Sequence, residues 1–246
     1  MKTLFLSIAA VLFSLFPSTG NSISPEALTG AWETTFKNDD GREVHAVAIM
    51  SGGYVSSAAY YTDDNSFLYT MGGSWKVEGN KIIQTYEFNT QDSEMVGKSE
   101  SNEYKIEGNK LTFKGDSRVW TRIDNGTGGD LANAFLITGR QQNGEIVERP
   151  IRARKTMKIL SGTRFQWIAY NVDTGEFSGT GGGTYTTING KYTENIEFFS
   201  RNVNRVGASL EFDYKVVDKA WHHSGLSSTG SPIYEVWTPR EIIEKN

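Results

Sequence analysis

The sequence predicts an all-β protein built as two tandem up-and-down β-barrels, and three observations carry that reading. The chain repeats itself: residues 50–115 align without a gap on residues 160–225 at a constant offset of 110. Short stretches of alternating apolar and polar residues recur between turn signals, and no segment holds a helical period beyond one turn. The composition sets 26 glycines against 5 prolines and supplies 13 Phe, 6 Trp and 11 Tyr, which suits many short strands and provides enough apolar surface for folded cores. A copy of about 100 residues with eight or so consecutive antiparallel strands closes most readily into a barrel, which leaves no unpaired edge.

Taken in order, residues 1–22 read as a signal peptide. Lys2 supplies the positive region, Leu4 to Phe16 the apolar run, and Ser18 to Ser22 the small residues of a cleavage site. No later segment approaches the roughly 20 apolar residues a membrane helix needs. The expected product is exported, secreted or periplasmic, with no transmembrane segment after cleavage. Residues 23–124 form the first barrel, 125–130 the linker and 131–242 the second barrel. Ser24 and Pro25 predict a short helical turn before the first strand, and Asp130 is expected to cap a similar turn in the second copy. Lys81 to Phe88 alternates, with Ile82, Gln84, Tyr86 and Phe88 on one face; Tyr192, Glu194, Ile196 and Phe198 share that register in the second copy. Turn residues follow at Asp39 to Gly41, Asp63 to Asn65, Gly79 and Asn80, and Asn189 and Gly190. The glycine-rich linker has little to bury, which predicts two independent barrels.

Outside the ungapped block the offset is 103 upstream, where Leu28, Ala31 and Trp32 match Leu131, Ala134 and Phe135. Downstream it is 117, where Val119, Trp120 and Thr121 match Val236, Trp237 and Thr238. Gly30, Ala31 and Trp32 resemble the Gly-x-Trp signature of the lipocalins, and Trp120, Thr121 and Arg122 resemble their last strand, whose basic residue covers that tryptophan. The second copy resembles the lipocalin-like (calycin) domains of unknown function in secreted bacterial proteins, through Gly182 to Tyr185, Tyr192 to Glu197, and Glu235 to Trp237. It departs from the pattern at Asn133 and Phe135, and Pro239 intervenes before Arg240. The resemblance implies a barrel that often holds a small, mostly apolar ligand.

Several function classes fall away. The formal charge of −4 lacks the basic excess of a nucleic-acid binder, and the absence of cysteine excludes thiol nucleophiles and zinc–thiolate sites. Gly179 to Gly183 lacks the Lys-Ser/Thr pair of a phosphate loop, and Ser227 and Ser228 lack nucleophile-elbow spacing. His222 and His223 point to opposite faces of a strand and cannot share a metal. No cofactor or metal is expected. Arg149, Arg152, Arg154, Lys155 and Lys158 read as a solvated strand edge, or as a portal for an anionic partner.

The duplication sorts the remaining candidates. Residues kept in both copies, such as Glu87/Glu197, Phe88/Phe198 and Trp120/Trp237, are assigned to the fold. Polar replacements in the second copy point to a site there: Tyr54 becomes Arg164, Ser56 becomes Gln166, Ser57 becomes Trp167, Gln84 becomes Glu194 and Phe113 becomes His223. The expected ligand-binding set is Arg164, Gln166, Trp167, Tyr185, Tyr192, Glu194 and His223, holding a small apolar or amphipathic molecule in the second barrel. If Arg164 and Gln166 face outward, Phe165 and Trp167 line the wall instead. Two other readings stay open: an enzyme using Glu194 and His223 as an acid/base pair, and a structural or interaction module with filled barrels.

Overall fold

The computed structural model describes residues 24–227 and 230–244; the expected signal peptide lies outside the described residues. The first barrel consists of β1 (Gly30–Lys37), β2 (Glu43–Ser51), β3 (Tyr54–Tyr61), β4 (Phe67–Glu78), β5 (Lys81–Asn89), β6 (Ser99–Glu107), β7 (Lys110–Phe113) and β8 (Val119–Asp124). Each strand pairs antiparallel with the next, and β8 closes onto β1. The second copy contains β9 (Ala134–Gln142), β10 (Glu145–Glu148), β11 (Arg154–Leu160), β12 (Arg164–Asn171), β13 (Phe177–Ile188), β14 (Lys191–Phe199), β15 (Ser209–Val217), β16 (Ala220–Leu226) and β17 (Pro232–Pro239). Here β17 closes onto β9, which also pairs with β11. The inserted β10 folds back on the far end of β9 as a hairpin. A single helical turn, α1 (Arg240–Ile243), follows.

Local chemistry fixes the first barrel's closed end. Ser24 caps a 3-10 turn at Pro25–Ala27 by accepting from the Glu26 N–H at 3.3 Å. Trp32 donates from Nε1 to the Leu28 carbonyl at 2.9 Å, and Arg122 lies 4.0 Å above its ring while donating to the Ala27 and Thr29 carbonyls. The basic residue covers the tryptophan, as the lipocalin resemblance implies. In the second copy the helical cap expected at Asp130 does not form; a plain turn stands there. Pro239 occupies the position equivalent to Arg122 and ends β17, so Arg240 falls one residue later, at the start of α1, and pairs with Glu87 instead of covering the barrel interior.

A β-bulge in each copy redirects a phenylalanine. The β4–β5 register passes from Gly73 opposite Tyr86 to Gly72 opposite Phe88, which makes Glu87 an extra residue; Glu197 is extra in the same way between Ile196 and Phe198. A bulge shifts the inside–outside alternation by one. Phe88 and Phe198, expected on the inner face with Tyr86 and Ile196, therefore turn outward. Glycine is required opposite: a Cβ on Gly72 would sit 2.2 Å from the Val55 carbonyl oxygen and 2.5 Å from the Phe88 ring.

The outward residues join the two barrels. Ile49 and Phe88 pack with Leu136, Met157, Ile159, Ile168 and Tyr170 in one buried cluster, and Ala58 and Tyr60 pack with Phe198 in another. The contacts obey the repeat. Tyr60 donates to Glu197 at 3.1 Å, and its equivalent Tyr170 donates to Glu87, the equivalent of Glu197. Phe67 stacks on its own equivalent, Phe177, with ring centroids 6.0 Å apart, and Ser56 donates to its own equivalent, Gln166, at 2.6 Å. Gln166 in turn donates to Thr70 at 2.9 Å and to that residue's equivalent, Thr180, at 3.0 Å. Residue i meeting j while i′ meets j′ is the signature of a twofold, self-complementary interface, here within one chain.

The linker does not leave the barrels independent. Asp124 at its head is bonded by the Ser161 and Thr163 hydroxyls at 2.8 and 2.6 Å and by the Gly162 and Thr163 amides. Limited proteolysis should still nick the exposed Asn125, Thr127 and Gly128. We expect the nicked fragments to co-elute as one particle on size exclusion and to separate only in denaturant. Separation under native conditions would contradict the interface.

Candidate functional site

Five of the seven residues expected at the site share the second barrel's interior, and two do not. On β12 the inner face is Phe165 and Trp167, whereas Arg164 and Gln166 lie on the outer face. Gln166 is buried between the barrels, and Arg164 pairs with Glu197. Tyr185, Tyr192, Glu194 and His223 are all buried inside. Tyr185 donates to the Ser161 carbonyl at 2.6 Å and Tyr192 to Glu194 at 2.9 Å. Burial, then the charge of Glu194, pushes the Tyr192 hydroxyl well above the ordinary tyrosine range.

Lys158 enters this interior, against the expectation of a solvated edge. Its Nζ lies 2.7 Å from Glu194, and its side chain is 6% exposed. A second carboxylate, Glu235, accepts from Arg140 at 2.7 Å and from Trp237 Nε1 at 3.2 Å. Burial would raise its pKa, but the adjacent His223 ring, Lys158 and Arg140 outweigh that and hold it at about 2. Burial, then the Lys158 charge, depresses the His223 pKa, and among the described residues neither ring nitrogen has a hydrogen-bond partner. Its Nδ1 lies 3.7 Å from Glu235. Among the described residues no hydrogen bond joins Glu194 to His223: each faces a different charged neighbour, which splits the expected acid/base pair.

The first barrel is hollow. A cavity of about 410 Å³ lies inside it, within the range typical of small-molecule sites. Its apolar wall is formed by Trp32, Ala48, Met50, Val55, Met71, Ile82, Leu111, Phe113 and Trp120. Polar groups gather toward the end carrying the β7–β8 loop. Tyr86 donates to Glu100 at 2.6 Å, and burial, then that bond, raises the phenol's pKa. Asp116 and Arg118 pair at 2.7 Å, and Lys114 is exposed at the rim. Gln84 and Asn102 also line the space, and among the described residues their amides have no hydrogen-bond partner.

One substitution pattern explains why one barrel is hollow and the other is not. At equivalent inner positions Ala48 becomes Lys158, Val55 becomes Phe165, Ser57 becomes Trp167, Ile82 becomes Tyr192, Asn102 becomes Phe212 and Leu111 becomes Trp221. The register confirms the first of these, since Trp32 faces Ala48 across β1–β2 and Phe135 faces Lys158 across β9–β11. Met71 shrinks to Gly181, but the space is taken: a Cβ there would sit 2.8 Å from Trp167 Nε1 and 2.9 Å from the Phe199 ring. The difference is legible in the sequence as side-chain bulk rather than as polarity.

Fold and interior together define a tandem β-barrel protein with one hollow barrel and one filled barrel. No family model and no curated protein matches the chain. Among solved structures the chain is similar to the Cpx pathway activator NlpE from Escherichia coli, at 10% identity over 86% of this chain and 95% of that one, with a TM-score of 0.26. Among the described residues no helix is long and apolar enough to cross a membrane.

Proposed function

We propose that the protein is exported, to the periplasm or beyond, and binds a small, neutral amphipathic or apolar molecule inside its first barrel. The carrying observation is the cavity of about 410 Å³, kept open by small residues at positions the second barrel fills. Its depth is apolar, so burial of a hydrocarbon body drives binding at about 25 cal/mol per Å² removed from water. The free amides of Gln84 and Asn102 can each donate and accept, which suits an uncharged polar end. Charge at the rim is balanced, with Glu100 and Asp116 against Lys114 and Arg118. The second barrel serves as a packed partner that holds the first through the shared interface. The enzyme reading is less well supported, because Glu194 and His223 sit in a filled interior and engage different neighbours. The structural-module reading fits the second barrel but leaves the first barrel's hollow unexplained.

Native mass spectrometry of the protein purified from its own source tests both parts. The expected spectrum shows a chain beginning between Gly20 and Ile23 and carrying a bound mass that is released on denaturation and extracts into organic solvent. A secreted chain retaining Lys2 overturns cleavage of the signal peptide as proposed. An unliganded spectrum, with no thermal shift across a panel of neutral amphiphiles, overturns binding.

A further inference from the structure

Lys158 is the least expected residue in the molecule. It is 4% exposed, inside a barrel, on a strand whose other basic residues lie outside or at the interface between barrels. Its Nζ sits 4.9 Å from the centre of the Trp221 ring, 5.1 Å from Tyr192, 5.3 Å from Trp237 and 6.0 Å from Phe212. Glu194 closes the remaining side at 2.7 Å. Aromatic faces around one carboxylate form the arrangement by which proteins recognise ligand ammonium groups.

The first copy shows that the lysine and its surroundings go together. Where the second barrel has Lys158, Glu194, Tyr192, Phe212 and Trp221, the first has Ala48, Gln84, Ile82, Asn102 and Leu111. A buried lysine is tolerated where a counter-charge and hydrogen bonds compensate its lost hydration, neither of which calls for aromatic rings. Here the carboxylate is joined by three aromatic rings that the first copy lacks, while Trp237 is matched by Trp120. From this we infer that the second barrel is a binding site for a primary alkylammonium group, occupied by the chain's own Lys158 and thereby closed to external ligands. The inference is independent of ligand binding in the first barrel.

The test restores the first copy's residue. In the full mature chain, Lys158→Ala removes a fragment equivalent to n-propylammonium and leaves the aromatic rings and Glu194 in place. The variant should melt well below the parent. n-Propylammonium chloride should then raise its melting temperature, by roughly 3 to 6 °C at a tenfold excess over the dissociation constant and logarithmically with concentration beyond it, and leave the parent unchanged. Sodium chloride and 1-propanol at equal concentration should not reproduce the effect, and Lys158→Ala combined with Glu194→Gln should lose it. If Lys158→Ala cannot be recovered folded, refolding with and without n-propylammonium replaces the melt, and recovery only with the amine supports the site. A folded variant indifferent to the amine, an equal response to 1-propanol, or no recovery under either refolding condition overturns it.

Discussion

Glu87→Ala should lower the unfolding free energy by about 3 to 5 kcal/mol, the effect of removing one partner from a buried charge cluster. Arg240 is 1% exposed and reaches Glu87 through two contacts of 2.6 and 2.7 Å; Tyr170 donates to the same carboxylate, and Lys155 lies 3.3 Å away. Glu244 accepts from Arg240 at 2.6 Å, from Lys155 at 2.7 Å and from Tyr54 at 3.0 Å, so without Glu87 two buried cations are left sharing one carboxylate. Without Glu87 a guanidinium stays buried between the barrels with too little counter-charge. Urea unfolding monitored by tryptophan fluorescence, with the m-value checked for loss of two-state behaviour, reads the cost. A loss below about 1 kcal/mol would mean that Glu244 suffices.

The same cluster predicts the acid limb of the stability profile. Burial alone would raise the Glu87 pKa, but the Arg240 hydrogen bonds and charge, with help from Lys155 and Tyr170, hold it at about 2 against an ordinary 4.5. A depressed folded-state pKa means stability present above pH 4.5 and lost as the pH falls toward 2, worth about 3 kcal/mol for a difference of this size. Glu235 adds to the same window. In Glu87→Gln the parent's loss between pH 4.5 and 2 should be reduced, because that carboxylate no longer takes up a proton on unfolding.

The repeat made strand order and register legible from β2 to β7, because a gapless match over 66 positions aligns each turn in that stretch with a turn in the other copy. It misled where matched residues were assigned to the fold. Tyr60 and Tyr170, Glu87 and Glu197, and Phe67 and Phe177 are kept in both copies because the copies bind each other, and a twofold contact constrains the same position twice. The outward turn of Phe88 was hidden for a different reason. A bulge opposite Gly72 and Gly73 leaves the apolar alternation of β5 intact on paper while reversing its direction in space. Lys158 was illegible because Arg154 to Leu160 has no clean alternation, so its position on the strand does not fix its face.

Ser57→Trp combined with Met71→Gly should abolish ligand retention by the first barrel while leaving the fold standing. Both replacements are the residues of the second copy, where the Trp167 indole fills the space over Gly181 and meets Phe199 edge-on at 5.5 Å. Ser57 and Met71 face each other across β3 and β4, as Trp167 and Gly181 do across β12 and β13, so the indole has a tested backbone on which to lie. Overpacking of this kind costs about 1 to 3 kcal/mol, and the filled second barrel shows that the strand geometry accepts it. Displacing even four methylene groups of a bound molecule forfeits about 3 kcal/mol, roughly a hundredfold in affinity. Calorimetry with the molecule extracted from the native protein, on parent and double variant, measures the difference. The reverse exchange, Trp167→Ser with Gly181→Met, leaves Lys158 and Tyr192 in place and should create no comparable site. Equal affinity of parent and filled variant would move the ligand out of the first barrel, whereas loss confined to the filled variant would place it against Ser57 and Met71.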